Sequence, residues 1–148
     1  MSRIKEVRWT NRPIDAVFAY VSDFTTTAEY DPGVSSAVRI DDGPLGAGSE
    51  FSVDAVFMGR ILPMRYRITH FDPPHRMDLR GEASTSTAED CIVFVPKRGG
   101  TEITWTLDLQ LTGISRLGQP FMGPIFRRLG RKALDGLAAR LADPRTLR

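Results

Sequence analysis

Residues 101–142 read TEITWTLDLQLTGISRLGQPFMGPIFRRLGRKALDGLAARLA, and the period of the apolar residues changes within this stretch. In its first part every second residue from Ile103 to Leu111 is apolar, which is the pattern of a strand with one buried face. In its last part a single apolar stripe recurs at helical spacing, formed by Ile125, Phe126, Leu129, Ala133, Leu137 and Leu141. The stretch therefore predicts a strand followed by a long C-terminal helix of about residues 120–142.

The residues before this stretch predict the remaining strands of an antiparallel sheet. Alternating apolar and polar residues indicate five strands between residues 34 and 95, separated by turn-forming segments such as Asp72-Pro73-Pro74. Gly59 and Gly81 are expected to help the sheet curl. Each of these strands carries its apolar residues on one face, so the sheet has one face to bury.

The N-terminal residues predict one further strand and two short helices. Residues 4–9 have a strand pattern, and apolar residues at helical spacing indicate a helix over residues 13–22, with Asn11 as its expected N-cap. A second helical turn is expected over residues 25–30.

Taken in order, these elements predict an α+β fold. A C-terminal helix with one apolar stripe must bury that stripe, and the concave face of a curved sheet is the surface available for it. We therefore expect a seven-stranded antiparallel sheet wrapped around the long helix, with two short helices between strands 1 and 2, in a single domain over residues 1–148.

The composition excludes several classes of protein. Hydrophobic residues make up 41% and charged residues 26% of the 148 residues, a globular balance that argues against disorder. No apolar run approaches the roughly 20 residues of a membrane-spanning helix, and the N-terminus lacks the apolar segment of a secretory signal. One cysteine, Cys91, and no Cys/His cluster with zinc spacing predict a chain without a disulfide, metal or cofactor. A cytoplasmic protein is expected.

The charges are unevenly distributed along the chain. The formal net charge of +2 is too small to indicate nucleic-acid binding. Residues 116–148, however, contain eight basic and two acidic residues, while residues 1–115 have a net charge of −4. The basic tail has two interpretations: the solvated face of a helix, or a surface for anionic lipid or an acidic partner.

Four segments spread over the chain resemble a known family. They are residues 11–23, NRPIDAVFAYVSD; residues 30–34, YDPGV; residues 43–51, GPLGAGSEF; and residues 99–105, GGTEITW. In this order they resemble the START-like superfamily, which has the helix-grip or birch-pollen-allergen fold, and within it the bacterial polyketide cyclase/dehydrase-like (SRPBCC) branch. The resemblance implies a cavity between the sheet and the C-terminal helix for apolar or amphipathic ligands such as lipids, polyketides, quinones or hormones. It implies no reaction, because members include enzymes, carriers and regulators.

Strand alternation and the start of the C-terminal helix indicate which residues would form the wall of such a cavity. Alternation alone fits a completely filled core equally well. The segment GQPFMGP, residues 118–124, has two interpretations: a helix start whose prolines direct the chain, or a mobile rim of the cavity. Tyr66 is the expected polar anchor. The expected ligand-binding residues are Phe51, Val53, Phe57, Met64, Tyr66, Trp105, Phe121, Met122 and Phe126.

Three residues are candidates for proton transfer if the protein is an enzyme. Asp90 shares strand parity with Ile92 and Phe94, so it points into the cavity if they do, and desolvation would then raise its pKa. The alternatives are that Asp90 reaches water at the strand end, or that Cys91, Val93 and Val95 form the inward face. Tyr66 either presents its hydroxyl to the cavity or bonds a backbone partner. His70 shares parity with Tyr66, but no nucleophile motif accompanies it.

Three functions are compatible with these observations. The first is binding of an apolar or amphipathic small molecule. The second is a polyketide cyclase/dehydratase that uses Asp90, Tyr66 or His70. The third is a lipid or quinone chaperone at a membrane surface, with weak contact between its basic C-terminal helix and anionic lipid. A monomer or a homodimer is expected.

Overall fold

The computed structural model describes residues 2–147 and confirms the predicted fold class. Seven antiparallel strands form one curved sheet, two short helices and a 3₁₀ turn lie between the first and second strands, and a long helix ends the chain. The elements are β1 Ser2–Thr10, α1 Ile14–Ser22, a 3₁₀ turn Phe24–Thr26, α2 Thr27–Tyr30, β2 Val34–Arg39, β3 Glu50–Phe57, β4 Arg60–Asp72, β5 Arg76–Glu82, β6 Ser86–Lys97, β7 Gly100–Leu111, a 3₁₀ segment Gly113–Gly118 and α3 Gln119–Ala142.

The sheet has the strand order β1-β7-β6-β5-β4-β3-β2. Strands β2 to β7 therefore pair as successive hairpins, and β1 pairs with β7 along its whole length, from Ser2 opposite Leu109 to Thr10 opposite Thr101. Bulges interrupt the ladders after Val34 in β2 and after Ile68 in β4. Because a bulge bends its strand and increases the local twist, these positions help the sheet to curve.

Helix α1 covers one end of the sheet and begins later than expected. Phe18 packs edge-on against Phe94 of β6, with ring centroids 5.1 Å apart. The predicted N-cap Asn11 is wrong: Pro13 occupies the cap position, its carbonyl oxygen accepts the first helical bond from Val17 N, and no side chain caps the helix. Pro13 has extended backbone angles, so the helix begins only after the proline.

Helix α3 lies across the concave face and packs against β1. Its buried face consists of Phe126, Leu134, Leu137 and Leu141. Ile125, which was predicted to belong to this face, is 39% exposed, whereas Leu134 is 4% exposed. Successive helical residues differ by about 100° in direction, so Ile125 lies on the flank of a face that contains Phe126.

Residues 118–124, for which the sequence allows either a helix start or a mobile rim of the cavity, are largely helical. Helix α3 begins at Gln119, with Pro120 in the first turn and Pro124 inside the helix. The Gln119 side chain fastens this end, because its amide nitrogen donates to Ser2 Oγ and its amide oxygen accepts from Leu111 N at 2.7 Å. The start of α3 is therefore bonded to β1 and β7. None of the helices within residues 2–147 is both long and apolar enough to cross a membrane.

Candidate functional site

A cavity of about 600 Å³ lies between the concave face of the sheet and α3. Most of its wall is apolar, with contributions from β3, β4, β7 and α3 such as Val53, Met64, Leu107 and Leu129. The wall also includes part of the turn after α2. The side chains on the inward faces therefore do not fill the space between sheet and helix.

The cavity has an inner end and a mouth. Along four of the strands the wall stops at one residue: Val53 on β3, Tyr66 on β4, Asp90 on β6 and Trp105 on β7. The next inward residues of these strands are buried in the core beyond the cavity: Phe51, Ile68, Ile92 and Ile103. The wall at the other end includes Met58 of the β3–β4 turn, Thr85 before β6 and Ser115 before α3. The cavity thus runs from these connections to a polar inner end.

Seven of the nine residues expected in the wall lie there: Val53, Phe57, Met64, Tyr66, Trp105, Met122 and Phe126. Phe51 does not, because it is completely buried beyond the inner end, where its ring packs against Phe24 with centroids 5.9 Å apart. Phe121 does not either, because it is 78% exposed on the outer side of α3 while the adjacent Met122 faces inward.

Asp90 points into the cavity and is buried, as its parity with Ile92 and Phe94 suggested. Its Oδ2 accepts a hydrogen bond from Trp105 Nε1 at 2.7 Å, while its Oδ1 has no partner within the described chain. Burial raises the pKa of Asp90 to about 7, although the bond from Trp105 acts in the opposite direction. The carboxyl group can therefore take up or release a proton near neutral pH. The alternative, in which Cys91, Val93 and Val95 form the inward face, is wrong because Cys91 is only partly buried and lies opposite Asp78.

Two tyrosines present their phenol groups near Asp90. The Tyr30 hydroxyl is buried without a hydrogen-bond partner among the described residues, and the one hydrogen-bond partner of the Tyr66 hydroxyl there is Met64 Sδ at 4.0 Å. Burial, followed by the nearby carboxylates, raises the pKa of both tyrosines well above the ordinary value. Both phenols therefore stay protonated and can donate a hydrogen bond.

The charged groups of the wall are all acidic. Asp31 accepts a bond from Gly33 N at 2.7 Å, and burial raises the pKa of Asp31 to about 6. Glu6 of β1 lines the cavity and pairs with Arg8 at 2.9 Å. Among the residues of the structure that line the cavity there is no Lys, Arg or His. The cavity is thus apolar with a polar, acidic inner part.

His70 is not part of this cluster. The bulge after Ile68 interrupts the alternation of β4, so that His70 is exposed opposite Asp78 instead of sharing the face of Tyr66. The expected inward orientation of His70 is therefore wrong, because strand parity does not continue through a bulge. Of the three proton-transfer candidates, the structure brings together Asp90 and Tyr66.

Sequence reasoning missed Tyr30, Asp31 and Glu6 as cavity residues. Tyr30 and Asp31 belong to the YDPGV turn, but a turn has no periodicity that shows which surface it covers. They reach the cavity because α2 packs against α3, where Gly136 leaves room for the backbone of Tyr30. Glu6 lies on the same face of β1 as the apolar Ile4, and this alternation is the feature of the sequence that could have placed Glu6 in the wall.

The family follows from the sequence match. The family model described as "Polyketide cyclase / dehydrase and lipid transport" matches residues 1–142. The chain belongs to this family. The resemblance inferred from the four short segments is confirmed. No curated protein matches the chain in sequence.

Solved structures confirm the helix-grip fold of this family member. A protein of Thermus thermophilus is 22% identical with a TM-score of 0.80, covering 94% of this chain and 96% of its own. The Zhui aromatase/cyclase of a Streptomyces species is 13% identical with a TM-score of 0.78, covering 94% and 92%. A START superfamily protein of Mycobacterium smegmatis is 15% identical with a TM-score of 0.69, covering 94% and 93%. At these identities the likeness is one of fold.

Proposed function

We propose that this family member binds one apolar or amphipathic small molecule in the cavity between the sheet and α3. The observation that supports the proposal is the open volume of about 600 Å³ with a mostly apolar wall. Small-molecule sites typically combine such a wall with a few polar groups that orient the ligand. Here Asp90, Tyr30 and Tyr66 are the orienting groups.

Native mass spectrometry of the protein purified from its own host tests this proposal. Ala133 of α3 lines the cavity, and Ala139 lies on the exposed side of the same helix. We expect a co-purified molecule on the wild type and on Ala139→Phe. Ala133→Phe should carry less of it, by about tenfold or more, because the added ring occupies the ligand's space. Equal occupancy of the two variants would contradict binding in the cavity.

A second candidate function, a cyclase or dehydratase, is favoured by the state of Asp90. A buried carboxyl group with one free oxygen and a pKa of about 7 is suited to general acid–base catalysis. On a polyketide-like substrate the ionised form would remove a proton from the carbon that lies between a carbonyl group and a hydroxyl-bearing carbon. The protonated form would then give that proton to the leaving hydroxyl, so that water departs and a double bond forms. Tyr66 would hold the carbonyl oxygen by a hydrogen bond.

This activity is tested by following loss of water from a linear polyketide-like substrate by mass spectrometry. Asp90→Asn should reduce turnover by about 10²-fold or more and Tyr66→Phe by less, since only Asp90 moves the proton. The control is His70→Asn, which removes a titratable group from the outer face. Turnover that is unchanged in Asp90→Asn would exclude this mechanism.

Delivery of the ligand at a membrane is supported by the surface around the mouth. Five large apolar side chains there are highly exposed: Met58, Ile61, Ile114, Leu117 and Phe121. The segments that carry them, residues 57–61 and 113–122, contain Arg60 and Arg116 and no carboxylate. Apolar residues flanked by basic ones fit the surface of an anionic bilayer. We propose that the mouth contacts such a bilayer when the ligand enters.

Sedimentation with lipid vesicles tests the contact. Vesicles that contain phosphatidylglycerol should bind the protein more strongly than vesicles of phosphatidylcholine alone, and added salt should weaken this binding. The double variant Ile114→Ser, Leu117→Ser should lose most of the binding. Val95→Ser, which changes an exposed apolar residue far along β6 from the mouth, should keep it. Equal binding of the two variants would place the contact elsewhere.

A further inference from the structure

The inner end of the cavity holds polar atoms that the chain itself does not satisfy. Asp90 Oδ1 and the Tyr30 hydroxyl are buried without a hydrogen-bond partner among residues 2–147, and both residues line the cavity. Leaving a buried polar group unpaired destabilises the folded state, and unpaired groups of this kind are rare in folded proteins. Two of them in one cavity, with the Tyr66 hydroxyl nearby, indicate that a ligand supplies the missing partners.

The types of these atoms restrict the ligand. Asp90 Oδ1 accepts a hydrogen bond when the carboxyl group is ionised, and the Tyr30 phenol donates one. A hydroxyl group can donate to the first and accept from the second with its single oxygen. An ammonium group donates only, and would leave the phenol of Tyr30 without an acceptor on the ligand. Asp90 and Tyr30 line the same cavity, so one ligand can contact both.

The charged residues of the cavity wall further restrict the head group of the ligand. Asp90, Asp31 and Glu6 line the cavity, and within the part of the chain that the structure describes no cationic side chain does. A carboxylate or phosphate at the inner end would face these groups without a counter-charge in a low-dielectric space. Burial of an unpaired ion is strongly unfavourable. An anionic head group is therefore disfavoured at the inner end relative to a neutral hydroxyl group.

We propose that the inner end, formed by Asp90, Tyr30 and Tyr66, binds the alcoholic or phenolic hydroxyl of an otherwise apolar ligand, and that it discriminates against anionic amphiphiles such as free fatty acids. The apolar part of the ligand occupies the space between the inner end and the mouth, along β3, β7 and α3. This inference rests on the proposed binding function and names the head group that the cavity takes.

Displacement of a neutral fluorescent probe, N-phenyl-1-naphthylamine, by two ligands of equal chain length tests the proposal at a pH above the pKa of Asp90, where this carboxyl group is ionised. The ligands are 1-dodecanol and dodecanoate. On the wild type, 1-dodecanol should displace the probe at a concentration about tenfold lower than dodecanoate. The hydroxyl of 1-dodecanol forms hydrogen bonds at the inner end, whereas the carboxylate of dodecanoate loses its hydration without gaining a cationic partner. Asp90→Asn should bring the two concentrations closer together, because the charge that repels dodecanoate is gone.

The hydroxyl of Tyr30 has a matched control in the same part of the chain. Tyr20 donates to Glu29 at 2.9 Å outside the cavity, so Tyr20→Phe removes a phenolic oxygen without changing the wall. Tyr30→Phe should weaken binding of 1-dodecanol by about threefold to tenfold, and Tyr20→Phe should leave it unchanged. If Tyr30→Phe does not fold, Asp90→Asn supplies the deciding comparison.

Two different failures separate this inference from the function on which it rests. If the probe does not bind the wild type, and no apolar molecule displaces it, the proposed binding function is overturned. If the probe binds but dodecanoate displaces it as well as 1-dodecanol does, the cavity binds apolar molecules without the proposed head-group selection.

Discussion

The burial of the Asp90 carboxyl group makes the stability of the protein depend on pH. The pKa of Asp90 rises from an ordinary 3.8 to about 7 on folding, so the folded state holds the proton more tightly than the unfolded chain does. Stability from this residue is complete below the unfolded pKa and is lost as the pH rises through about 7. The loss amounts to about 4 kcal/mol.

We therefore predict that Asp90→Asn is more stable than the wild type at pH above the folded pKa and loses this advantage in acid. Urea unfolding of both proteins over a series of pH values measures the difference. The pKa of Asp31 is also raised, to about 6, but Asp31 is present in both proteins, so the difference between the two curves reports mainly Asp90 and its coupling to Asp31. Parallel stability curves would mean that Asp90 is not desolvated in solution.

Tyr66 allows a second prediction at the level of a single oxygen atom. Its hydroxyl contacts Met64 Sδ at 4.0 Å and no backbone group of the described chain, while its ring packs against Phe24 with centroids 4.9 Å apart. Tyr66→Phe should therefore change the unfolding free energy by less than about 1 kcal/mol, and should weaken binding of a polar-headed ligand by about 0.5–1.5 kcal/mol. Thermal melting and calorimetric titration measure the two. A large loss of stability with unchanged affinity would make Tyr66 a core residue.

At the level of elements, the position of α3 depends on glycine. A Cβ atom on Gly136 would overlap the carbonyl oxygen of Tyr30, so that α3 could not approach α2 as it does. Gly136→Ala should thus destabilise the protein by about 2 kcal/mol or more, although alanine favours a helix. Gly123→Ala in the same helix meets only the Arg127 guanidinium at 3.3 Å and should be neutral or slightly stabilising. Denaturant unfolding of the two variants measures the contrast.

The helices and strands could be predicted because the apolar residues of each repeat several times at the spacing of that element. The strand that contains Trp105 and the helix that contains Leu137 are examples, and both lie where expected. The wrong predictions concern single side chains, at an interruption of the strand alternation and at the edge of the apolar face of a helix. A bulge after Ile68 changed the side of His70, and one position around the helix separates Ile125 from the buried Phe126. The bulge shows in the sequence as a spacing of three between Ile68 and the inward Phe71, whereas the exposure of Ile125 leaves no such mark.

At the level of the whole molecule, the fold was predictable and the cavity only partly so. The resemblance of four ordered segments implied a space between sheet and helix, and the strand pattern named most of its wall. The sequence could not show that the inner end is acidic, because this depends on the packing of α2 against α3, which brings Tyr30 and Asp31 to the cavity that Asp90 of β6 lines. Three distant segments meet there, and their meeting is a property of the tertiary structure.

The open volume also has a mechanical consequence. Hydrostatic pressure favours whichever state occupies less space, and unfolding removes internal voids, with volume decreases of about 20–100 mL/mol in typical proteins. A molecule with about 600 Å³ of open space between its sheet and helix is therefore expected to be compressible and to unfold at comparatively low pressure when its cavity is unfilled. High-pressure fluorescence should show a higher unfolding pressure once 1-dodecanol is bound. A bound ligand would then stiffen the protein, and the unliganded form would be the more compressible of the two.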